Sequence, residues 1–225
     1  MEDQNTNSIN CGCNIARRDI EGDENQAGGV ERLTTVTKPY PKDVPIEDRI
    51  IGAIMGALIG DALGFGCVYY YDVAALRKDF GWVDNYVDPK TDGSNSWASI
   101  EKYFYEQGYR AGDGSQNGQM LEMLLQSVAE KGKYDHDDLC SRMDKFLDTL
   151  DGTPYCGRWT STAMRGLWHT RKGKGYAWDD PRIGSPADPP CGAINSVILA
   201  ATYRDPLELA KVVYQNTRII FQDPM

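Results

Sequence analysis

The chain has 225 residues, 41% of them hydrophobic, with a formal net charge of −9 and a pI near 4.8. That length fits one domain plus a tail, and the apolar fraction suffices for a core. The acidic balance argues against nonspecific nucleic-acid binding, which needs Lys and Arg to neutralise phosphates. It leaves room for a small anionic ligand at a local site.

Residues 1–45 read as a disordered polar tail. Asn, Asp, Glu, Gly and Thr dominate there, and such a composition buries too little apolar surface to offset the entropy of ordering. The start, Met1-Glu2-Asp3-Gln4, lacks the basic and apolar regions of a signal peptide, which fits a cytoplasmic protein. The six cysteines, Cys11, Cys13, Cys67, Cys140, Cys156 and Cys191, show no CxxC pair and read as reduced thiols. Pro39, Pro41 and Pro45 separate the tail from the folded part, and Pro45 suits a helix start followed by Glu47 and Asp48.

Residues 46–225 read as an all-α, compact multi-helix domain. In the first helix, Gly52, Gly56 and Gly60 recur every four residues and share one side with Ala53 and Ala57. Ile50, Ile51, Ile54, Met55, Leu58 and Ile59 cover most of the rest, so the pattern predicts a helix buried nearly all round, with a groove for close helix approach. It meets Asp61 too early to span a membrane. Val73–Phe80 predicts a short helix, and Gly81–Gly114 an aromatic-rich loop with short helical pieces. Apolar periodicity predicts helices over Gly118–Lys131, Asp137–Leu150, Thr160–Arg171, Ala193–Tyr203 and Pro206–Phe221, with a Gly/Pro/Asp loop at Gly173–Pro190. No segment alternates as a strand would.

The candidate site begins with Asp61, a carboxylate at the end of the first helix, followed by the Gly64–Gly66 loop. A second piece is Gly108–Gly118, GYRAGDGSQNG, which leads into a helix. Gly112, Gly114 and Gly118 let backbone N–H groups face a ligand, and a helix N-terminus favours anions. Ser115, Gln116 and Asn117 add side-chain contacts there, and Asp113 adds a carboxylate for a cation. The bland alternative is an ordinary helix cap, for which Ser, Asn and Asp are equally suited. Arg158 can hold a phosphate or carboxylate, against the commoner fate of a structural ion pair. Of the two histidines, His136 reads as a solvated cap and His169 as structural, and no Ser/His/Asp triad is visible.

Gly56-x-x-x-Gly60-Asp61-Ala62-Leu63-Gly64 resembles the ADP-ribosylglycohydrolase family. Tyr70-Tyr71-Asp72, Ala111 to Gln119, and Asp151-Gly152-Thr153 through Gly157-Arg158 are similar to its J-type crystallin-like branch, and the motif order covers about residues 47–225. The resemblance implies an all-α fold. It also implies hydrolysis of the glycosidic bond between ADP-ribose and an acceptor, assisted by two Mg²⁺ ions. The family's metal ligands lie in a Thr-Asp-Asp-Thr motif at a helix start and in a later Asp-x-Asp-Thr/Ser motif.

The chain departs from that pattern. Ser115-Gln116-Asn117-Gly118 stands at the Thr-Asp-Asp-Thr position, so two carboxylates are amides. Asp113, Ser115, Gln116 and Asn117 remain the candidate metal ligands. Val68 stands where many members carry a substrate-facing Glu, and no Asp-x-Asp-Thr/Ser follows Asn117. The expectation is a C-terminally truncated domain with weak or absent catalysis. The alternative is a non-catalytic crystallin-like structural or ADP-ribose-binding protein. Asp61, Gly112, Gly114, Ser115, Gln116, Asn117, Gly118 and Arg158 are the expected ligand-binding residues. No nucleic-acid or membrane partner is expected.

Overall fold

The structure, a computed structural model, describes residues 44–94, 98–186 and 194–222. The tail expected at 1–45 lies outside these apart from Val44 and Pro45, as do Cys11, Cys13 and Cys191. The described part of the domain is all-α. Its helices are α1 (Ile46–Phe65), α2 (Val73–Phe80), α3 (Ala98–Glu106), α4 (Gln116–Lys131), α5 (His136–Leu147), α6 (Thr162–Trp168), α7 (Ser196–Thr202) and α8 (Pro206–Ile220). A π-helical turn, His169–Gly173, extends α6. The one extended pairing among the described residues is a parallel bridge between Ser185 and Phe221.

Local chemistry sets most of the ends. Ser115 caps α4 through its hydroxyl, and Gly132 closes that helix in the left-handed conformation. Asp135 caps α5 and Asp205 caps α8, where Pro206 occupies the first turn. His136 is therefore not the cap expected of it. Its ring lies between the Tyr134 hydroxyl (Nδ1, 3.3 Å) and the Cys140 thiol (Nε2, 3.5 Å). Cys140 is a buried core residue, and that burial pushes its thiol up to about 12.

The core joins α4 to α8. Leu121 and Leu124 of α4 meet Met143 and Leu147 of α5, Met164 and Leu167 of α6, Ile198 and Leu199 of α7, and Ile219 and Ile220 of α8. A second, aromatic cluster centres on Phe65, Ile100 and Phe104, and Tyr69, Tyr103, Tyr109 and Trp159 pack against it. The described part of the aromatic loop thus packs into this cluster and holds a nine-residue helix, while residues 95–97 lie outside the described residues.

Helix α1 corrects an expectation. It packs on α4 and α7, yet only Ala62 and Phe65 are buried. Ile51, Met55 and Ile59 are 59%, 48% and 45% exposed. A Cβ added at Gly52, Gly56 or Gly60 would meet nothing within 4 Å. The glycine stripe therefore does not seat a helix among the described residues. The period placed these residues on one face but carried no information about what lies against that face. Without a close neighbour, the intrinsic preference for alanine prevails: Gly56→Ala should leave stability unchanged or raise it by up to about 1 kcal/mol in thermal unfolding.

Asp144 on α5 fastens the turn after α6. It accepts from Arg171 Nε (2.8 Å) and Nη2 (2.7 Å) and from Trp178 Nε1 (2.9 Å). The Arg171 hydrogen bonds hold its carboxyl down, to about 2, with the Trp178 N–H assisting. A depressed folded-state value means this stabilisation is complete above an unfolded carboxylate's pKa, about 4, and is lost as pH falls towards 2. Asp144→Asn should lower stability at neutral pH and flatten its dependence on pH between about 2 and 4, as read by circular dichroism.

Candidate functional site

The last turn of α1 and the first turn of α4 meet at Asp61 and Ser115. Ser115 N–H donates to Asp61 Oδ2 (2.7 Å), and its hydroxyl donates to Oδ1. The same hydroxyl accepts from Asn117 N–H (3.0 Å) and Gly118 N–H (3.4 Å). Asp61 thus orients the capping hydroxyl so that its lone pairs face the helix. Close approach requires glycine. A Cβ at Gly118 would overlap the Asp61 carboxylate, and one at Gly114 would come within 3.1 Å of it.

Beside this junction lies a cavity of about 270 Å³. Asp61, Ser115, Gln116, Asn117 and Arg158 line its polar side. Phe65, Tyr69, Phe104 and Trp159 line its apolar side, with Val68 at its edge. Gln116 is 4% exposed. Its Oε1 accepts from Ser161 N–H at 3.2 Å, which fixes the orientation of the amide. Its Nε2 is buried without a hydrogen-bond partner among the described residues. Arg158 Nη1 donates to Gly114 O, and the guanidinium lies 5.0 Å from the Tyr109 ring centroid.

Five of the sequence-predicted residues therefore line one cavity: Asp61, Ser115, Gln116, Asn117 and Arg158. Gly114 and Gly118 support it through close packing. Gly112, at φ +93°, faces the Tyr86 ring instead. Asp113 turns into its own loop, where Oδ2 accepts from Arg110 N–H at 2.8 Å, and it does not line the cavity. No group of three or more His, Cys, Asp or Glu residues able to hold a metal ion occurs among the described residues.

Trp159 was missed by the sequence reading. Its φ of +58° is the left-handed region, rare for a bulky residue, and holding it there costs on the order of 1–3 kcal/mol. Its ring packs edge-on to Tyr155 (4.9 Å) and Tyr69 (6.1 Å). The buried Thr160 anchors the backbone, its N–H donating to Pro154 O (3.0 Å) and its hydroxyl to Cys156 O (2.9 Å). The nearest sequence signal was the glycine at 157, just before Arg158.

A larger groove of about 520 Å³ lies between α4 and α5. Three of its charged side chains are paired with one another: Arg142 binds Asp138 and Glu130. It holds none of the motif residues.

No helix of the described residues is long and apolar enough to cross a membrane. The Asp61–Ser115 junction should tolerate no added bulk. Gly118→Ala is expected to cost about 1–3 kcal/mol through overpacking, measured as a fall in denaturant midpoint.

No curated protein and no solved structure matches the chain. A family model described as ADP-ribosylglycohydrolase matches residues 42–225. That match takes in every helix of the described residues and the cavity beside α1 and α4, and the chain belongs to the ADP-ribosylglycohydrolase family.

Proposed function

We propose that this chain binds ADP-ribose or a similar small anionic ligand in the α1/α4 cavity, with weak or absent hydrolysis. Family membership supplies the ligand class. The observation that carries the rest is the pair of amides, Gln116 and Asn117, lining the cavity at the start of α4.

Magnesium is the metal implied by the family resemblance, and the donor set here fits a magnesium pair poorly. Among the described residues Asp61 is the one carboxylate lining the cavity, and both its oxygens already accept from Ser115. Gln116 Oε1 already accepts from Ser161, which leaves a nitrogen donor, and the Arg158 cation stands on the same wall. Paired dications repel each other and need anionic compensation that these groups do not offer.

The reading of a crystallin-like, non-catalytic member rests on the same amides together with the Tyr70-Tyr71-Asp72 and Ala111–Gln119 motifs. Isothermal titration should detect ADP-ribose binding. Incubation with an ADP-ribosylated protein should release no ADP-ribose above a metal-free control. Sustained Mg²⁺-dependent release by the folded chain would overturn the non-catalytic reading, and absence of binding would overturn the ligand assignment. Restoring both carboxylates, Gln116→Asp with Asn117→Asp, should raise magnesium affinity in the same calorimeter.

A further inference from the structure

An unpaired buried amide donor is costly, by about 1–3 kcal/mol. Gln116 Nε2 is such a donor, on a side chain that lines a cavity. It cannot be relieved by flipping the amide, because Ser161 N–H already needs the oxygen. The flip would set two N–H donors against each other and leave the carbonyl oxygen unpaired.

The surroundings select the chemistry of the missing partner. It must be an acceptor, since Nε2 is a donor only. Arg158 supplies a positive charge on the same wall, and beyond the bond to Gly114 its guanidinium makes no other hydrogen bond among the described residues. The 16-residue α4 contributes the positive end of its dipole. Among the described residues the only facing carboxylate, Asp61, is held by two bonds from Ser115. Tyr69, Phe104 and Trp159 then offer an apolar wall to whatever is attached to the acceptor.

We propose that Gln116 Nε2 and Arg158 together hold a phosphoryl oxygen of a small phosphate ester directly, with no divalent cation between protein and ligand. This rests on the reading of the cavity as an ADP-ribose-type site and specifies how that site works. The amide at 116 is then a ligand contact in its own right and not merely a lost metal ligand. The ligand oxygen then replaces the missing acceptor of Nε2.

The test uses the full chain, with ADP-ribose, ribose 5-phosphate and inorganic phosphate as separate probes. Each is titrated in EDTA and again in excess Mg²⁺. The expected result is the same Kd in both for every probe that binds. Gln116→Glu replaces the donor by a carboxylate, and Gln116→Met removes it without adding charge. Each should weaken binding about 10–100-fold, the loss of one hydrogen bond to a charged group, with the thermal midpoint confirming folding. Arg158→Met should do the same. Binding that appears only with Mg²⁺, or that survives Gln116→Met and Arg158→Met unchanged, overturns the direct contact while leaving ADP-ribose binding standing. Metal-independent binding of phosphate or ribose 5-phosphate without ADP-ribose binding keeps the contact and overturns the ligand assignment. Failure of all three probes to bind overturns both.

Discussion

The hydrogen bonds between Asp61 and Ser115 join two helices that are 50 residues apart in sequence, and the site depends on them. One carboxylate takes the backbone N–H and the hydroxyl of the same residue. The hydroxyl then takes two N–H groups of α4. Each bond to the carboxylate belongs to the charge-assisted class, worth about 1.5–3 kcal/mol. The negative charge also lies at the positive end of the α4 dipole. Glycine at 118 is what permits the approach, because a Cβ there would occupy the space of the carboxylate, and one at 114 would crowd it. Gln116 and Asn117 sit one and two residues beyond the cap, so their position follows from this junction.

The same junction constrains the chemistry. A carboxylate that fastens a helix start is less free to gather cations, since a metal would have to compete with two N–H or O–H donors already in place. The cationic member of the site is Arg158, fixed to Gly114 O beside Asp61. Charge on the cavity wall is therefore close to balanced, one carboxylate against one guanidinium, with the helix dipole tipping it towards anions. The charge of the whole chain, −9, gives no hint of this. Local arrangement, not net charge, decides what such a cavity attracts.

The sequence revealed elements through features that act over one or two turns. Ser115, Gly132 and Pro206 mark helix ends by caps and fixed dihedrals, and the observed α4 and α8 follow them within two residues. Short-range motifs likewise brought Asp61, Ser115, Gln116, Asn117 and Arg158 into one list, and they share one cavity. What stayed hidden depends on partners distant in the chain. The exposure of α1 depends on what packs against it, which a 3.6-residue period cannot state. The left-handed Trp159 reflects the anchoring of Thr160 by Pro154 and Cys156. The roles of Gln116 Oε1 and Nε2 depend on Ser161, 45 residues away. Asp113 misled because its type suits a cation while its own turn uses its oxygen.

Trp159 bears on why this wall keeps its shape. A left-handed tryptophan persists only where its surroundings over-determine it. Here Thr160 is fully buried and bonded through both N–H and hydroxyl, and Tyr103 O–H donates to Gly157 O at 3.0 Å just upstream. These bonds clamp the backbone on either side of Arg158 and Trp159. A loop held in this way presents the guanidinium and the indole in fixed relation to Gln116, so the proposed ligand would cost little further ordering entropy there. Relaxing Trp159 would favour the loop but move both groups that face the cavity.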